Sequence, residues 1–193
     1  MKSALRSRLI LCIALIGSLA IHQVSAQVIT KKLGVKGKTQ AGSKWCWAAC
    51  AEMILVFLNA DPEKVSQCVQ VSDKLEMTCC GAAAPDACDQ ADGFPDFLRY
   101  GFTCETTDET ALTFEQIRDQ IDRKKPVGFS WHFEDGTGHM LVAAGYKISS
   151  GKKKVWVLDP ARGPGGAWKL YDYYDQGGDG LWHWNDFYEI TKE

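Results

Sequence analysis

The thirteen residues from Cys46 to Leu58, Cys-Trp-Ala-Ala-Cys-Ala-Glu-Met-Ile-Leu-Val-Phe-Leu, carry a single charge, Glu52. A helix that is apolar all round cannot lie on a surface, so the rest of the chain has to close around this one. Gly37, Gly42 and Ser43 break regular structure just upstream, which puts Cys46 in the helix's first turn. There the unsatisfied backbone N–H groups and the positive end of the helix dipole favour an anion. The Cys46 thiolate is therefore expected below its ordinary pKa, as a nucleophile requires.

The remaining pattern changes character halfway. After Leu58, Asn59-Ala60-Asp61-Pro62 reads as a stop and restart, with Asp61 capping a short second helix and Pro62 at its first position. Val71 to Ala91 is irregular and rich in cysteine, and Phe94 to Tyr100 reads as a helical turn or two ended by Gly101. A further helix spans Thr113 to Lys124: Thr113 and Gln116 have capping-box spacing, and Phe114, Ile117 and Ile121 follow a helical period. From there on the runs are β-rich, at Pro126 to Phe133, His139 to Tyr146, Lys154 to Leu158 and Trp168 to Tyr173, with turns at 134–138 and 149–152. An aromatic end follows, Trp182, Trp184, Phe187 and Tyr188. This segregation implies an α+β fold with a helical lobe over 40–112, a mainly β lobe over 113–193 and a cleft between them.

Residues 1–26 read as an export signal: a basic start at Lys2, Arg6 and Arg8, an apolar run from Leu9 to Ala20 too short to anchor, and cleavage after Ala26. Gln27 to Thr39 is then a short basic tail or edge strand, and residues 40–193 form one domain. A secreted or periplasmic monomer is expected, with no membrane contact once the signal is removed. The formal net charge of −2, with no basic block, argues against nucleic acid as a partner.

Of the eight cysteines, Cys12 leaves with the signal, so seven remain in an oxidising compartment. An odd number implies one thiol held out of pairing. If that one is Cys46, the other six, Cys50, Cys68, Cys79, Cys80, Cys88 and Cys104, are candidates for three disulfides whose connectivity the sequence leaves open; the bland alternative is that Cys50 is a buried free thiol and another cysteine is also unpaired. No CxxC pair occurs and no histidine lies between Cys46 and Cys104, so neither a metal nor any other cofactor is expected.

A cysteine nucleophile needs an imidazole to take and return a proton. His22 lies in the signal, while His132 and His183 sit among aromatic residues that read as packing. His139 opens a strand directly after Gly136-Thr137-Gly138, where its ring can overhang a cleft. Asp159 follows Val155-Trp156-Val157-Leu158 and precedes Pro160 at a strand end; a hairpin through Ser149 to Lys152 would bring it beside His139, to fix the tautomer. Gln40, six residues before Cys46, is placed to donate to an oxyanion together with the Cys46 N–H. Of Trp45 and Trp47, one is expected in the core and one on the cleft wall, and Gly138 borders the cleft. Substrate pockets are expected from Trp45, the cysteine-rich insert and the Gly163 to Gly166 loop.

Gln40 and Cys46 at this spacing, the Cys46-Trp47-Ala48 helix start, Gly138-His139-Met140-Leu141-Val142-Ala143-Ala144-Gly145-Tyr146 and Val155-Trp156-Val157-Leu158-Asp159-Pro160 together resemble the papain-like cysteine proteases. The likeness is to their compact bacterial branch, with the staphopains, an effector protease and the double-glycine peptidases. It implies a helical lobe beside an antiparallel, barrel-like lobe, and a thiol endopeptidase acting on peptides or proteins. In that reading Cys46 is the nucleophile, His139 the base, Asp159 the orienting residue and Gln40 the oxyanion donor. Papain differs in having asparagine where Asp159 stands, a glycine-cysteine-glycine run before the nucleophile, and a long pro-domain. The rival readings are a thiol transpeptidase or acyltransferase with an amine acceptor, and a catalytically silent peptide-binding domain.

Overall fold

The computed structural model describes residues 28–81, 84–90, 95–177 and 180–193. The expected export signal, with Cys12 and His22, and Phe94 lie outside the described residues. Among the described residues no helix is long and apolar enough to cross a membrane.

The apolar run forms helix α1 (Cys46–Phe57), whose residues from Trp47 to Leu55 are all buried. Asp61 and Pro62 do not start a helix. They form a turn in which the Asp61 carboxylate accepts from the Glu63 N–H, and α2 (Gln67–Leu75) begins only after Ser66. The Asp-Pro signal serves equally well for an isolated turn, since both residues favour it. Helix α3 (Phe114–Asp122) starts with the expected capping box: the Thr113 hydroxyl accepts from the Gln116 N–H, and the Gln116 side chain accepts from the Thr113 N–H.

The strands are β1 (Ile29–Lys32), β2 (Phe102–Thr106), β3 (Val127–Phe133), β4 (Gly138–Ser149), β5 (Lys152–Leu158), β6 (Gly166–Leu170) and β7 (Leu181–Lys192). They form one antiparallel sheet in the order β2-β7-β3-β4-β5-β6, with β1 pairing the far part of β4. The path ends at β2 and β6, and no pairing among the described residues joins them, so the expected barrel-like closure is absent. Tyr171 to Tyr173, read as strand, turn instead into the short helix α4 (Tyr171–Gln176).

β4 is the central element, and burial on both its faces explains its unbroken apolar run. Met140, Val142 and Ala144 pack with α1, whereas Leu141 and Ala143 pack with Phe129, Val157 and the Phe114, Ile117 and Ile121 stripe of α3. The β4–β5 hairpin closes through Ser150 and Gly151, both at positive φ, with Ser149 opposite Lys152. Two such residues in a two-residue loop match the strand twist. Its far end sets His139 near Asp159.

Candidate active site

Cys46 is the first residue of α1, and no side chain caps the helix, nor is there an acid in its first turn. The N-terminal N–H groups are thus available to a thiolate. Burial pushes the Cys46 thiol up, but the hydrogen bond with His139, the backbone N–H groups of Met140 and Trp47 and the charge on His139 outweigh this and lower its pKa below the ordinary value.

β4 carries His139 at its second residue. At Gly138 an added Cβ would lie 2.9 Å from the Trp131 carbonyl and 3.2 Å from the Trp184 ring, so the strand's start fits there only without a side chain. The His139 Nε2 is 2.8 Å from Asp159 Oδ1, which leaves the other ring nitrogen for Cys46. Burial opposes the charge on His139, yet Asp159 and Cys46 together push its pKa up to about 9. Burial also acts against the Asp159 carboxylate. His139, the Ala161 N–H at 3.0 Å and the Arg162 guanidinium at 3.2 Å nonetheless hold its pKa below the usual carboxylate range. The directions agree: a lowered thiol, a raised imidazole and a lowered carboxyl each favour the charged form of its group.

Gln40 is pinned from several sides. Its N–H donates to Pro160 O at 3.0 Å, next to Asp159. Gln67 grips its neighbours, donating to Thr39 O at 3.0 Å and accepting from the Ala41 N–H at 2.8 Å. Gln67 also donates to buried Glu52, which pairs with Lys38 at 3.0 Å. The Gln40 side-chain amide donates to Gly42 O at 3.0 Å and Ser43 O at 2.6 Å, leaving its Oε1 buried without a partner. With two carbonyls facing the nitrogen, the opposite amide orientation would set oxygen against oxygen. Gln67 has no sequence signal of its own, but Glu52, the lone charge in the apolar run, is one: a buried carboxylate has to have partners.

These groups meet in a cleft of about 700 Å³ lined by Gln40, Cys46, Trp47, His139, Asp159 and Trp184, with Gly138 at its edge. Trp45, assigned to the substrate pockets from sequence, does not line it; its indole is buried and donates to Cys88 O at 2.8 Å. Nor do Gly163 to Gly166 line it. His132 stacks with both Trp182 and Trp184, and His183 is buried beside Asp186, at 3.2 Å. The expectation of three disulfides is corrected to two among the described residues, Cys68–Cys80 and Cys79–Cys88. Cys50 and Cys104 are free thiols. Cys50 points into the core, donating to Met140 O at 3.2 Å, and burial drives its pKa well above the ordinary value; Cys104 lies on edge strand β2 and is likewise raised by burial.

The Peptidase_C39 like family matches residues 32–189, which includes every residue of this cleft. The chain belongs to that family. The crystal structure of a putative C39-like peptidase from Bacillus anthracis is similar to this chain at 13% identity with a TM-score of 0.52, covering 84% of this chain and 100% of that one. At that identity the likeness concerns the fold. No curated protein matches the chain.

Proposed function

We propose that this family member is an exported thiol peptidase, with Cys46, His139 and Asp159 as its catalytic triad. The observation that carries the reading is the convergence, in one cleft, of a depressed thiol and a raised imidazole held 2.8 Å from a carboxylate. Gln40, Ser43, Lys44 and the start of α1 line one side of the cleft, and residues of β3, β4 and β7 with the turn after Asp159 line the other.

The Cys46 thiolate attacks the carbonyl carbon of a peptide bond. The tetrahedral oxyanion is met by the Cys46 N–H and by Gln40, which exchanges one of its bonds to Gly42 or Ser43 for the new acceptor. The His139 imidazolium gives its proton to the departing amine, and a thioester remains on Cys46. His139, now neutral, takes a proton from water as the oxygen attacks the thioester; the C–S bond breaks, the carboxylic acid is released, and the Cys46 thiolate and His139 imidazolium are restored. Asp159 holds the ring and its charge without giving up a proton.

The test is cleavage of denatured casein by the wild type and by Cys46→Ala. The variant is expected to be inactive while folding normally; equal rates would end this reading. Adding a primary amine separates hydrolysis from acyl transfer, because a transferred product forms only in the second case.

A further inference from the structure

The cysteine-rich insert reaches back to the loop in front of the nucleophile. Asp89, directly after bridged Cys88, accepts from the Ser43 hydroxyl at 2.5 Å and from the Lys44 N–H at 2.9 Å. One residue earlier, Cys88 O accepts the Trp45 indole N–H at 2.8 Å. Three consecutive loop residues, Ser43, Lys44 and Trp45, are thus tied to two consecutive insert residues. The loop also packs tightly on itself, since a Cβ at Gly42 would lie 2.7 Å from the Trp45 ring. The loop's other side holds the Gln40 amide through Gly42 O and Ser43 O. The chain of contacts runs from the Cys79–Cys88 bridge through Asp89 to Ser43, and from Ser43 to the group assigned to the oxyanion. Among the described residues no hydrogen bond links Cys68 or Cys80 to this loop, although Ser66 meets Cys68 Sγ at 3.9 Å.

We propose that Asp89, fixed by the Cys79–Cys88 bridge, is a positioning residue that sets the 42–45 loop and through it the Gln40 amide. This rests on the peptidase reading above. Asp89 touches no reacting atom. Without it Ser43 and Lys44 lose these two hydrogen bonds to the insert, and the Gln40 amide drifts with the carbonyls that hold it. The insert is thereby a structural part of the site: the bridge has to stay oxidised while Cys46, a few residues from its contacts, stays reduced. An asparagine at 89 keeps a carbonyl for the Lys44 N–H and an amide for the Ser43 oxygen, so the hydrogen bonds, rather than the charge, are what the loop requires.

The experiment compares wild type, Asp89→Ala, Asp89→Asn and the pair Cys79→Ser/Cys88→Ser on a fluorogenic peptide built on the fastest site cut in denatured casein, with bridges checked by non-reducing peptide mapping. Asp89→Ala is expected to lower kcat about tenfold with KM within about twofold, as sub-ångström misplacement does. Asp89→Asn is expected to stay near wild type, and the double serine variant to match Asp89→Ala. A peptide aldehyde of the same sequence, which forms an oxyanion on the thiol, should bind Asp89→Ala weaker by the factor lost in kcat. Alkylation of Cys46 by iodoacetamide should keep its wild-type rate, because it needs no oxyanion. Unchanged kcat in Asp89→Ala, equal loss in Asp89→Asn, or alkylation falling in step with kcat overturns the proposal. A wild type that cuts no peptide overturns the peptidase reading instead.

Discussion

Replacing Asp159 with asparagine keeps a side-chain oxygen within reach of His139 but removes the negative charge. His139 is pushed up to about 9 from an ordinary 6.5, against the effect of burial. The Asp159 hydrogen bond is the largest upward contribution, followed by those of Cys46. A neutral amide oxygen accepts a weaker hydrogen bond than a carboxylate, so Asp159→Asn weakens this largest contribution as well as removing the charge, and should return about one unit, equivalent to about 1.4 kcal/mol. The sign follows from the direction: a raised imidazole keeps its proton up to the folded pKa, so less raising means the proton leaves at lower pH. The alkaline limb of kcat/KM on denatured casein, near pH 9 in the wild type, should move down to roughly pH 8 in Asp159→Asn. At neutral pH the variant should retain measurable activity, since Asp159 orients the ring but does not react. An alkaline limb in the same place in both proteins would refute the assignment of the His139 shift to this carboxylate.

Other consequences follow from single contacts. Gly138→Ala should destabilise by about 1–3 kcal/mol, because its Cβ would meet the Trp131 carbonyl and the Trp184 ring, and should lower kcat through the adjacent His139; thermal melts and casein turnover read the two effects. Thr113→Ala removes one half of the capping box and should cost about 1 kcal/mol in denaturant unfolding, with no change in kcat. His183, close to fully buried Asp186, has its pKa raised: burial acts against its charge but Asp186 outweighs that. Its stabilisation is fully present below about pH 6.5 and is lost as pH rises through the elevated folded value. His183→Ala should accordingly cost about 3 kcal/mol at pH 6 and distinctly less at alkaline pH, measured by urea unfolding.

The helix of the nucleophile, the capping box of α3 and the β4–β5 hairpin were legible because each rests on contacts between near neighbours in sequence. The His139 to Asp159 pairing was legible for the same reason, as both flank one hairpin. β7 was seen only as an aromatic end, since its insertion between β2 and β3 is set by packing over most of the chain's length. β2 is hard to read because Phe-Thr-Cys-Glu-Thr is short and lies at a sheet edge, with Phe102 its one buried residue. The disulfide count failed on Cys50, where an apolar helix position proves the stronger signal: the thiol packs in the core like any small apolar group. The supports of Gln40, namely Gln67, Glu52 and Asp89, are long-range polar contacts that no local pattern encodes.

Three free thiols among the described residues, in contrasting settings, allow the central claim to be measured on one sample. Cys46 is depressed by His139 and backbone N–H groups despite its burial, Cys104 is raised, and Cys50 is enclosed. In limited iodoacetamide treatment at pH 6.5, followed by mass spectrometry of each cysteine peptide and by casein cleavage, Cys46 should label first. It should do so faster than Cys104 by at least about tenfold, with activity lost in one-to-one proportion. Labelling of Cys104 or Cys50 ahead of Cys46, or full modification of Cys46 with cleavage intact, would contradict the account.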